Sequence, residues 1–195
     1  MIALRTCWAA IALWAGLLPF AAQAQATAED ALWRQIAGGG YVLLIRHAAT
    51  EPGFGDPPQF RLGDCSTQRN LSAAGRDEAR RLGEMFLVYR VPVAEVRSSP
   101  WCRCVDTAKL AFGKATVWDA LASLYFDDRD EAARRQLVVE GARAFMARGV
   151  AGNFVLVTHN FNIRSLLGVS PAQAEVIVAR LTDEGLELVG RLPPP

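Results

Sequence analysis

The chain has two histidines, His47 and His159, and each directly follows a run of apolar, strand-forming residues. Tyr41-Val42-Leu43-Leu44-Ile45 leads through Arg46 into the first, and Phe154-Val155-Leu156-Val157-Thr158 into the second. Imidazole can act as a nucleophile or exchange a proton near neutral pH. A lone histidine is more often a satisfied core or surface residue. Two histidines at the carboxyl ends of neighbouring strands would instead meet at one site. Arg46 stands beside His47, and Arg103 falls at the start of an expected helix. Alone, the first could pair with a loop acid and the second could be solvated. Together they present planar, paired donors suited to phosphoryl oxygens. A phosphoryl group carries a charge of about −1.5 to −2 near neutrality, and its transfer is catalysed mainly by positioning and electrostatics. A helix opening near Pro100 would add backbone N–H groups that favour an anion. The chemistry these residues suggest is phosphoryl transfer.

Such residues need a rigid frame. Positions 28–37 read as a short helix closed by Gly38-Gly39-Gly40. The run 41–45 is continuous and apolar, as in a central buried strand. Positions 49–70 carry Pro52, Gly53, Gly55, Pro57 and Pro58 with little periodicity. They read as a long loop, and long loops in compact domains are usually functional. Ser72 opens a helix to about position 89, with Ala79, Leu82, Met85, Phe86 and Tyr89 on one face. A short strand (93–97), a helix (100–112), a further strand (115–118) and an irregular stretch (121–128) follow. Positions 130–148 form an amphipathic helix that offers Leu137, Val138, Ala144 and Phe145 to the core. A strand (154–158) and a short helix (162–167) come next. Positions 175–181 and 186–191 flank Thr182-Asp183-Glu184-Gly185, which reads as a hairpin turn. Alternating strands and helices imply an α/β fold, a three-layer α/β/α sandwich around a mostly parallel central sheet. Sheets of this kind bind ligands beyond the carboxyl ends of their strands.

The 195 residues suit one domain, and 51% of them are hydrophobic, which excludes general disorder. Twenty-one basic residues balance twenty acidic ones, so no basic excess points to nucleic acid. Arg5, an apolar run from Cys7 to Phe20 and the small residues Ala22, Ala24 and Ala26 form the pattern of a secretory signal peptide. The apolar run is shorter than the roughly 20 residues a spanning helix needs. The expectation is a signal peptide over 1–24 with cleavage after 24 or 26, a single domain over 25–195, no stable membrane insertion, and a periplasmic or secreted location. Export leaves Cys65, Cys102 and Cys104, and an oxidising compartment permits one bridge. Cys102 and Cys104, two apart on a helix, face different ways. The expected bridge therefore joins Cys65 to either Cys102 or Cys104. Two histidines far apart match no zinc spacing, and no metal or organic cofactor is expected.

Three blocks resemble the histidine phosphatase superfamily, also called phosphoglycerate-mutase-like. They are Arg46-His47-Ala48-Ala49-Thr50, then Ser98-Ser99-Pro100-Trp101-Cys102-Arg103-Cys104-Val105-Asp106-Thr107-Ala108, then Val157-Thr158-His159-Asn160. They occur in the family's order, and the middle block is the most specific. The resemblance implies that His47 forms a phosphohistidine and that Arg46 and Arg103 bind the phosphoryl oxygens. It also implies that His159 completes the anion pocket, that Thr50 contacts the phosphate, and that water then hydrolyses the intermediate. Asn160 and, from the long loop, Arg61 are candidates for contacting a phosphorylated small-molecule substrate. Gln68 and Arg69 share that loop.

The resemblance has three departures. Ala48 stands where the family usually has Gly. Ser123 stands where a mutase-like branch places a Glu proton donor. Asn160 stands where an acid-phosphatase branch has Asp. Asp127 and Asp128 are the nearest candidate general acids by position, and as a polar loop capping the next helix they have a simpler explanation. The expected activity is a phosphatase acting on a phosphomonoester or phosphoanhydride. The alternative is a non-catalytic phospholigand-binding module of the same fold. A nucleotide-dependent enzyme is disfavoured because Gly38-Gly39-Gly40 precedes its strand, whereas a phosphate-cradling loop follows one.

Overall fold

The computed structural model describes residues 28–126 and 128–195. The expected signal peptide and Asp127 lie outside the described residues. The sheet has six strands in the order β3-β2-β4-β1-β5-β6. They are β1 (Val42–Arg46), β2 (Val93–Ser98), β3 (Thr116–Val117), β4 (Asn153–Thr158), β5 (Val176–Thr182) and β6 (Gly185–Leu192). β3, β2, β4 and β1 run parallel, while β5 and β6 form an antiparallel hairpin on β1. β1 and β4 are buried because helices cover both faces, hence their unbroken apolar runs.

Helix α1 (28–36), helix α2 (Ala73–Val88) and helix α3 (Cys102–Phe112) cover one face. There Trp33, Ile36, Leu82, Phe86 and Ala108 pack on Leu43, Ile45, Val155 and Val157. Helix α4 (Glu131–Ala147) and helix α5 (Asn160–Leu167) cover the other. There Val138, Ala142, Phe145 and Ile163 pack on Val42, Leu44, Phe154 and Leu156. This is the expected three-layer sandwich. Leu137 and Ala144 are exposed, contrary to expectation. The buried stripe of α4 runs through 138, 142 and 145, the helical spacing of one face. Positions 137 and 144 each precede a stripe residue and are rotated by about 100° away from the core. Helix α3 starts at Cys102, two residues later than expected, and α5 starts at Asn160, two residues earlier.

Helix α2 also fixes the chain just beyond β1. Its N-cap, Ser72, accepts the Gly75 N–H through its side chain (3.0 Å) and donates its own N–H to the Ala49 carbonyl (3.1 Å). A Cβ on Gly75 would sit 1.8 Å from that carbonyl oxygen. The obstacle is backbone, so relief requires moving either the helix or the loop. Gly75→Ala is therefore expected to cost about 1–3 kcal/mol or more, read as a lower urea midpoint, and to weaken any ligand bound beside His47.

Candidate active site

Register places the two histidines together. β1 and β4 pair with Arg46 opposite Thr158, and the His47 N–H donates to the Thr158 carbonyl at 3.0 Å. The imidazole rings of His47 and His159 have centroids 5.5 Å apart. Both lie at the carboxyl ends of adjacent parallel strands, on the floor of a pocket of about 560 Å³.

The His47 ring is held by its own neighbour. Nδ1 lies 2.9 Å from the Ala48 carbonyl oxygen. A carbonyl can only accept, so Nδ1 carries the proton and Nε2 keeps its lone pair. The backbone around it is anchored twice more: the Ala48 N–H donates to Thr107 Oγ1 (3.0 Å) and the Ala49 N–H to Glu78 Oε2 (2.7 Å). Thr107 Oγ1 also bonds the Arg103 carbonyl at 2.7 Å, tying the β1 exit to α3. Partial burial pushes the Glu78 carboxyl up from its ordinary value. The Ala48 methyl, which departs from the family pattern, packs with Leu71, Ala79 and Ala174, away from the pocket. Ala48 does not take a left-handed backbone, so no glycine is needed there.

Three guanidinium groups line the pocket: Arg46, Arg103 and Arg69. Arg46 donates to the Pro171 carbonyl (2.8 Å) and Arg69 to the Gly53 carbonyl (2.5 Å). Arg103 Nη1 donates to both carboxylate oxygens of Asp56, at 2.8 and 3.0 Å. The Nε atom of each of the three is buried with no protein partner, as is Asn160 Oδ1. Buried polar atoms seldom lack partners. The three Nε donors belong to residues that line one pocket, which fits an anionic ligand. Burial, and then Arg69, lower the pKa of Arg46; burial, and then Arg103, lower that of Arg69.

His159 caps α5, and its Nε2 lies 2.8 Å from Ser99 Oγ. The buried Cys104 thiol is 3.6 Å from the same nitrogen. Burial pushes that thiol up to about 12, so it stays protonated. Burial lowers the pKa of His47 to about 3 and that of His159 well below its ordinary value; the neighbouring positive groups add to both shifts. Both imidazoles are thus neutral near pH 7. Below pH 6.5 the unfolded chain binds protons that the folded chain refuses, so stability falls as pH drops from 6.5 toward 3. Each buried histidine can contribute up to about 1.4 kcal/mol per pH unit in that window. Urea midpoints measured between pH 6.5 and 4 are expected to fall, with a shallower slope in His47→Ala.

Thr50, Ser123 and Asn160 line the pocket, and Gln173 Nε2 lies 3.4 Å from Thr50 Oγ1. Arg61 does not line it. Its side chain is largely exposed and pairs with Asp64 at 2.7 Å, because residues 61–67 fold into their own small turn. Asp128 is exposed and does not line the pocket. Glu51 is the one carboxylate lining it among the described residues. The disulfide joins Cys65 to Cys102 (Cα–Cα 5.7 Å) and not to Cys104, which faces His159 on the other side of α3. The bridge ties the long loop to the start of α3. The Cys102 N–H donates to Gln68 Oε1 (3.0 Å), so that helix-start donor serves the loop and not an anion. Among the described residues, no cluster of three or more His, Cys, Asp or Glu side chains could hold a metal ion. No helix among them is long and apolar enough to cross a membrane.

Sequence reasoning missed Asp56. Its buried carboxylate accepts from Arg103, from Trp101 Nε1 (2.9 Å) and from the Arg69 N–H (2.8 Å). Flanked by Gly55 and Pro57, it reads as an ordinary turn residue. Ser99 is visible within the middle motif, but its contact with His159 depends on the pairing of β2 with β4.

The fold and pocket define an α/β protein in which two histidines and three arginines converge at the carboxyl ends of parallel strands. Residues 42–130 match the family model of the histidine phosphatase superfamily, branch 1. Among solved structures, it is similar to Rv3214 from Mycobacterium tuberculosis, with TM-score 0.59, 17% identity, and coverage of 79% of this chain and 97% of that one. It is similar to a phosphoserine phosphatase from Entamoeba histolytica in complex with 3-phosphoglyceric acid, with TM-score 0.57, 12% identity, and coverage of 77% and 95%. It is also similar to the protein histidine phosphatase SixA complexed with tungstate, with TM-score 0.55, 17% identity, and coverage of 79% and 97%. No curated protein sequence matches the chain.

Proposed function

We propose that this protein is a phosphatase that hydrolyses a phosphomonoester or phosphoanhydride through a phosphohistidine on His47. The observation that carries the reading is the bare Nε2 of His47, fixed by the Nδ1 bond to the Ala48 carbonyl in a pocket lined by three guanidinium groups whose Nε atoms have no protein partner. Nε2 attacks phosphorus, the bond to the leaving oxygen breaks, and that oxygen departs with the electron pair. Arg46, Arg69 and Arg103 hold the equatorial oxygens, and His159 supports the charge that builds there. Water then attacks phosphorus, the P–N bond breaks, and phosphate leaves a neutral His47. Similar structures in complex with tungstate and with 3-phosphoglyceric acid support an oxyanion ligand for this chain. Three guanidinium groups supply the positive charge, so turnover is expected to survive a chelator. Incubation with a labelled aryl phosphate and rapid quenching should trap an acid-labile, base-stable phosphoenzyme; its absence during turnover would refute the covalent route.

A second reading is a phospholigand-binding module. It is favoured by the lack of a buried carboxyl among the described pocket-lining residues, with Ser123 and Asn160 at the positions where branches of the family place acids. Retained phosphate binding without turnover on any phosphoester would establish it.

We also place the mature chain in the periplasm or outside the cell, with cleavage after Ala24 or Ala26. The N-terminal pattern and the Cys65–Cys102 bridge support this. Intact mass of the protein from a periplasmic or culture extract tests it, since an uncleaved N-terminus would refute it.

A further inference from the structure

The pocket has two chemically different halves. Its floor is cationic. Its mouth is formed by four aromatic side chains, Phe54, Tyr125, Phe126 and Phe161. They are exposed, Phe54 at 82% and Phe161 at 40%. The rings touch one another: Phe54 meets Tyr125 edge-on at 5.2 Å, and Tyr125 meets Phe161 at 5.6 Å and Phe126 at 4.9 Å. Phe126 stacks in turn on the buried Trp101 at 5.8 Å, which anchors the cluster to the site. Exposed apolar side chains scattered singly need no explanation, but a contiguous aromatic group at the mouth of a polar pocket does. The pocket is also far larger than a phosphoryl group needs.

We infer that the substrate is an aryl phosphate, whose ring docks among Phe54, Tyr125 and Phe161 while its phosphoryl group rests on Arg46, Arg69 and Arg103. This rests on the proposed phosphatase reading. Two observations meet in it. Rings at these spacings and angles accept a further ring in offset or edge-on contact. Among the described residues that line the site, the one carboxylate is the exposed Glu51, and none is a buried carboxyl placed to protonate a leaving oxygen. A phenolate departs without such help, because its conjugate acid has a pKa near 10, far below that of an alcohol. As the P–O bond breaks, the electron pair leaves on the phenolate oxygen, which takes its proton from solvent. His47 Nε2 forms the new P–N bond and water later breaks it.

The test measures binding by calorimetry on the purified protein, with phosphonates that cannot turn over. Phenylphosphonate is expected to bind about tenfold or more tighter than methylphosphonate, and more tightly than hexylphosphonate. In Phe54→Ala/Phe161→Ala the phenyl advantage over methyl should shrink to about threefold or less. Equal binding of phenyl and methyl, equal binding of phenyl and hexyl, or an advantage that survives the double substitution would each overturn the inference. Absence of turnover on aryl phosphates, with the phenyl preference intact, would instead count against the phosphatase reading.

Discussion

His47→Ala is expected to remove turnover, lowering kcat/KM by roughly four orders of magnitude or more, and to abolish the phosphoenzyme. The other imidazole and the thiol beside it are not free to take over the attack. His159 is the only other histidine in the chain, and its Nε2 is committed to Ser99 Oγ at 2.8 Å. Cys104 is a buried thiol whose pKa is pushed up to about 12, so it supplies no thiolate. The substitution should leave the anion site standing. Arg46, Arg69 and Arg103 are held by the Pro171 carbonyl, the Gly53 carbonyl and Asp56, none of which depends on the imidazole. Phosphonate binding measured on the same variant should therefore persist. Turnover within about tenfold of the wild type, or labelling that moves to another residue, would sink the assignment of His47.

Several features that make this prediction possible are legible in the sequence, for physical reasons. β1 and β4 are buried on both faces, so they appear as uninterrupted apolar runs, and the residue after each run necessarily sits at the sheet's carboxyl edge. The long loop is also legible as a loop. Its internal fold is not, because that fold is set by contacts distant in sequence. Arg61 and Arg69 are the same residue type eight positions apart. The turn at 61–67 sends the first to solvent, while Asp56 accepts the backbone N–H of the second beside the pocket. Asp56 is buried only because the loop folds back over Trp101 and Arg103. Cys102 and Cys104 lie about 200° apart around a helix, which separates their roles. Which of them meets Cys65 depends on the side of α3 that the loop crosses.

Arg103→Ala is expected to harm both catalysis and stability, and the two losses can be separated. Arg103 lines the pocket with a buried, unpartnered Nε, so its loss removes a donor to the transferring group. Removing one such donor typically lowers kcat by about 10²–10³. The same side chain neutralises Asp56, whose side chain is fully buried. Without it, that carboxylate keeps the Trp101 and Arg69 N–H donors and the pull of the nearby Arg69 charge, and a buried charge that loses its direct partner costs up to about 3–5 kcal/mol. Asp56→Asn in the Arg103→Ala background replaces the stranded carboxylate with a neutral amide and should recover most of the urea midpoint. It returns no guanidinium to the pocket, so kcat should stay low. If the double variant regains both, Arg103 acts through the loop and not on the phosphoryl group. If it regains only stability, the guanidinium acts directly, and Asp56 is the counter-ion that holds it ready in the unliganded pocket.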